Sequence, residues 1–108
     1  MDSMDLIPRI DWPNGDCYPV MASKVLPEEL ARRSGSNSFR ARDDLDWFVG
    51  IVILSSAIGP ILVMRHDNNP ENLTAFYVDV SVNADWARMI IAETFSLAQS
   101  EISWVRPA

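Results

Sequence analysis

The chain has 108 residues, 48% of them hydrophobic, and carries 15 acidic against 9 basic side chains, a formal net charge of −6. That length supports one domain with one core, and the apolar fraction excludes wholesale disorder. The acidic balance repels phosphate backbones at long range, which points away from nucleic acid and towards a basic partner.

Cysteine and basic-residue usage narrow the setting. Cys17 is the single cysteine, so one chain can form neither an internal disulfide nor a cysteine-based zinc site, and the residue reads as a small buried hydrophobe. Lys24 is the one lysine among the nine basic residues, an arginine bias typical of a GC-rich bacterial genome. The first eight residues are acidic and broken by Pro8, without the basic-then-apolar order of a secretion signal, so a cytoplasmic protein is expected.

In chain order, residues 1–45 read as an irregular N-terminal arm with one short helix, punctuated by Pro8, Pro13, Pro19 and Pro27. Pro13-Asn14-Gly15-Asp16 is a turn signal. A helix is predicted over 23–33, with Pro27 in its first turn, Glu28 and Glu29 at the positive end, Arg32 and Arg33 at the other, and Gly35 as C-cap. Residues 32–42 then hold four arginines and no acid, followed by Asp43, Asp44 and Asp46, a solvated segment whose charges partly neutralise one another. Trp12, in the proline-bounded arm, reads as packed on the sheet, with an exposed interface anchor as the other reading.

Residues 46–108 read as a β-β-β-α-β core. The 18 residues 47–64 carry no charge, near the length that spans a bilayer, but Gly59-Pro60, the central Ser55-Ser56 and the β-branched bias resolve them into two buried strands, 47–54 and 61–65, around a turn. A polar, turn-rich loop from His66 to Asn72 leads to a third strand over 74–80. Asn83 caps a long helix whose Trp86, Met89, Ile90 and Leu97 are predicted to face the core. A last strand covers 102–105, and the crossover predicts that it runs parallel to the third strand or a neighbour. The expected fold class is α+β: a mixed, mostly antiparallel sheet of about four strands, with the long helix on one face. The short helix and the arm are expected on the other face.

Catalytic constellations are hard to assemble from these residues. His66 is the only histidine and lies in no nucleophile-elbow pattern, so it reads as a surface residue, not a base. The four glycines are far apart, which rules out a glycine-rich phosphate loop. Asp67-Asn68-Asn69 lacks the spacing and closing glutamate of a calcium loop, and no cofactor is expected. The sequence therefore predicts a non-catalytic binding protein, with Asp43, Asp44, Asp46, Asp67 and Glu71 as partner-binding carboxylates that mimic substrate phosphates.

In size, acidity and compact α+β layout the chain resembles the small cytoplasmic immunity proteins of bacterial toxin–immunity pairs, including those of contact-dependent growth inhibition. The resemblance spans the whole chain loosely and rests on no motif, so it transfers no individual residue. It implies a cationic protein partner, a nuclease-type toxin domain whose active site is covered. Two further readings stand beside it: a structural subunit that self-associates through its sheet, and a small-molecule-binding domain with a pocket between helix and sheet.

Overall fold

In the computed structural model, residues 16–42 and 46–107 are described. They form a six-stranded sheet in the order β2-β3-β4-β5-β1-β6, with strands β1 (Cys17–Ser23), β2 (Phe39–Arg42), β3 (Trp47–Ser55), β4 (Gly59–His66), β5 (Thr74–Asp79) and β6 (Ile102–Val105). Two helices, α1 (Pro27–Ser34) and α2 (Ala84–Thr94), complete the fold, and a 3-10 turn at Gln99–Glu101 leads into β6. Every neighbouring pair is antiparallel. The α+β class holds, while the expected mixed sheet of about four strands becomes an antiparallel sheet of six.

Both additional strands lie where the sequence reads as irregular. In β1, Pro19 argues against a central strand because it donates no ladder hydrogen bond. The chain accommodates it with a bulge: pairing with β5 shifts register between Pro19 and Met21. β2 is a four-residue edge strand carrying Arg40 and Arg42, a short charged edge of the kind that discourages further strand addition. β6 pairs antiparallel with β1, not parallel with β5. It does run in the same direction as β5, because β1 is inserted between them.

The helices follow their local chemistry more closely. Pro27 sits at the start of α1 and holds Leu26 extended (ψ 147°), so the helix begins at Pro27 and not at Ser23. Gly35 closes it in the left-handed region at φ 72°. The Asn83 side chain caps α2 by accepting from the Trp86 N–H at 3.0 Å.

Both helices pack on one face of the sheet. Leu30 and Ala31 of α1 and Ala87 and Ile91 of α2 share a core with Ile51, Ile61, Val63, Phe76 and Val78, and Phe95 just beyond α2 packs against Phe76 with its ring tilted by 55° and centroids 5.5 Å apart. The predicted core stripe of α2 is rotated outward: Trp86 is 46% and Met89 58% exposed, while Ile90 and Leu97 are only partly buried. Residues 87, 91 and 95 repeat at the same helical spacing, and small Ala87 brings the helix close to the strands. Arg33 joins the two helical segments, forking onto the Glu101 carboxylate with two 2.8 Å bonds and reaching the Ser96 carbonyl at 3.2 Å. So Arg33 is structural, not merely solvated.

On the opposite face, the register aligns Phe39, Gly50, Met64, Ala75, Ala22 and Trp104 in one row crossing all six strands. A second row runs Val52, Leu62, Tyr77, Pro19. Neither helix lies on this face, in contrast to the expected division of the two helices between faces. The placement of the arm and of Trp12 lies outside the described residues. Among the described residues no helix is long and apolar enough to cross a membrane, and the segment read as two strands is the β3–β4 hairpin.

Candidate functional site

The two acid-bearing loops meet at one end of the sheet because β3 starts where β4 ends. The Asp67 N–H donates to the Trp47 carbonyl at 2.9 Å, and the Asn68 N–H donates to the Asp46 carboxylate at 2.9 Å. The loop beyond is shaped by asparagines. Asn69 Oδ1 accepts from the Glu71 N–H at 2.8 Å, its amide donates to the Leu73 carbonyl at 3.2 Å, and Asn72 takes the left-handed conformation at φ 54° that asparagine tolerates. Asp46, His66, Asn68 and Asn69 line a shallow depression of about 280 Å³.

Arg40 on β2 forks onto Asp67, with one bond of 3.1 Å and a second, shorter one, and its guanidinium lies 5.6 Å from the Trp47 ring centroid. The fork holds the Asp67 carboxyl below the usual carboxylate range. His66 is half-buried, its ring 5.5 Å from that of Phe48, so it is more enclosed than the surface histidine expected from the sequence.

Of the five predicted carboxylates, Asp46 and Asp67 are brought together by backbone contacts between their loops. Glu71 stands on the same loop but borders a different concavity, and Asp43 and Asp44 lie outside the described residues. That second concavity is a groove of about 550 Å³ on the helix-free face. Ala22 and Ala75, direct cross-strand partners, form its floor; Pro19, Leu73, Tyr77 and Trp104 rise around it, and Asn69 and Glu71 stand at its loop end. Asn69 lines both concavities, and the Arg106 guanidinium lies beside two residues of the second, Pro19 and Trp104.

A tryptophan within a regular strand reads as core, whereas Trp104 on β6 is 40% exposed. The signal for the groove was the alternation in β5: Thr74, Phe76 and Val78 are buried, and Ala75 and Tyr77 turn to the other face.

At the far end of the sheet, Asp16 and Asp79 flank Cys17. Burial first, then these two carboxylates, push its thiol pKa up. Among the described residues, no group of three or more His, Cys, Asp or Glu side chains is arranged to hold a metal ion. No family model, curated protein or solved structure matches the chain.

Proposed function

We propose that the chain is a non-catalytic binding protein of the immunity type, which neutralises a basic, nuclease-like toxin domain in the bacterial cytoplasm by covering its active site. The observation that carries this reading is the joining of two acid-bearing loops at one end of the sheet, on a chain of net charge −6. A nuclease cleft is cationic because it binds phosphates, and an acidic surface speeds its capture. Asp46, Asp67 and Glu71 are the described carboxylates assigned to contact, with Asp43 and Asp44 adjoining them in sequence. Asp67 is held by Arg40, so a cation entering there shares or displaces that guanidinium.

Where a large secreted protein is encoded directly upstream, the test is co-expression with its C-terminal domain, followed by pull-down and growth rescue. Complex formation and protection support the proposal; neither binding nor protection discards it. In the complex, reversing Asp46 and Asp67 to lysine should slow association on the order of 10-fold and flatten its salt dependence.

A second reading, self-association through the sheet edge, is favoured by the exposure of Val105 (44%) on β6 and Met89 (58%) on the adjoining helix. Light scattering across a concentration series tests it. A strict monomer refutes it.

A further inference from the structure

We infer that the C-terminal strand is a strap, hinged at Glu101 and latched at Arg106, that lifts off β1 while the rest of the fold stays closed. β6 spans four residues, Ile102–Val105, and meets β1 at three register positions, with an irregularity between Ala22 and Ser23. Apolar burial does little to hold it: Ile102 packs against the core, but Ser103, Trp104 and Val105 are exposed. The β1 residues it covers, Val20 to Ser23, are by contrast all buried.

Arginines fix the two ends instead. At the hinge, the Glu101 carboxylate that takes the Arg33 fork also accepts from the Ala98 N–H at 3.0 Å, and the Glu101 N–H donates to the Ala98 carbonyl at 2.9 Å. At the latch, Arg106 Nε donates to the Pro19 carbonyl, beside the β1 bulge, at 2.7 Å, and its guanidinium lies 4.8 Å from the Tyr18 ring centroid. Tyr18 is fixed in turn by its hydroxyl, which donates to the Val82 carbonyl at 2.7 Å. Arg88 on α2 donates to the Arg106 carbonyl at 2.8 Å, and the Arg106 N–H donates to the Val20 carbonyl at 3.0 Å. Bonds from a guanidinium are roughly twice as strong as neutral ones, and a tyrosine face attracts the cation. A short strand held at its ends and exposed between them opens at less cost than the core. Lifting it makes β1 the edge of the sheet, with its backbone groups open to an added strand.

The test is native-state hydrogen exchange of the full chain, read by NMR across low urea concentrations. The Trp104 and Arg106 amides, two residues apart on the side of β6 that faces β1, should share one protection, about tenfold or more below that of Val63 in the core. Their exchange should depend little on urea, because lifting four residues exposes little surface. Ile51→Val, in the core on β3, should lower protection at Val63 several-fold and leave Trp104 and Arg106 unchanged, since the lifted state keeps that contact. Arg106→Ala should lower protection at Trp104 about tenfold, and Arg106→Lys, which keeps the charge without the planar stack, by less. Equal falls at Val63 and Trp104 in Ile51→Val overturn the proposal, because β6 then opens only with the whole fold. Protection graded from Trp104 down to Arg106 overturns it too, as fraying from the end with no hinge, and so does an unchanged Trp104 in Arg106→Ala. The urea series and Ile51→Val decide the matter if Arg106→Ala fails to fold.

Discussion

Gly50 offers a test of how β2, and with it Arg40, is held against the sheet. Gly50 is the cross-strand partner of Phe39, and a Cβ placed on it would lie 2.8 Å from Phe39 Cζ and 3.1 Å from the Phe48 ring. The Phe39 ring occupies the space a side chain would take, edge-on to Phe48 with centroids 6.1 Å apart. Alanine in a strand interior is favoured over glycine by about 0.5–1 kcal/mol. The overlap costs about 1–3 kcal/mol if Phe39 has to move. Gly50→Ala should therefore destabilise the protein by up to about 2.5 kcal/mol, the difference of these two effects. With Phe39→Ala already present only the 3.1 Å approach to Phe48 remains, and the same substitution should be more favourable than in the parent by about 1–3 kcal/mol. Urea unfolding of the four proteins at constant m-value measures the cycle. A Gly50→Ala effect of the same sign and size in both backgrounds would refute the claim that Phe39 seats β2 on this glycine. Because Arg40 is the next residue of β2, displacing Phe39 should also weaken the Arg40–Asp67 pair, seen as a rise in the Asp67 pKa towards its ordinary value.

Three further outcomes are expected. Ile91→Ala should cost about 2–5 kcal/mol in the same unfolding assay because Ile91 is fully buried, while Trp86→Ala should fall within about 0.5 kcal/mol; similar costs would contradict the observed rotation of α2. Hydrogen bonds from Arg33 hold the Glu101 pKa down at about 2, against an ordinary 4.5. The unfolded chain therefore binds the proton more readily, and the stabilisation, complete above pH 4.5, is lost as pH falls towards 2; Glu101→Gln should flatten stability over that window, and an unchanged acid limb would count against the fork. The Cys17 thiol, raised mainly by burial and then by Asp79 and Asp16, should react slowly with a disulfide reagent at neutral pH and faster in Asp79→Asn, whereas equal rates would remove that carboxylate from its environment.

Elements whose chemistry is local were legible before folding was considered. The Pro27 start and Gly35 end of α1, the Asn83 cap of α2, the β3–β4 hairpin, β5 and the bounds of β6 follow from backbone preferences and hydrophobic runs within a few residues. Tertiary structure decided the matters that depend on distant partners. β1 is a strand despite Pro19 because β5 and β6 bracket it and a bulge absorbs the missing donor. It was the sheet's choice of Ala87 and Ile91 that turned Trp86 and Met89 outward, since two apolar stripes on one helix compete for one face. The candidate site divides the same way. The acids were visible as residues, yet the bond from Asn68 to Asp46 and the pairing of Ala22 with Ala75 join positions 22 and 53 apart in sequence. Local preferences act over a turn or two of chain; surface shape and the meeting of charges come from register, which no single segment carries.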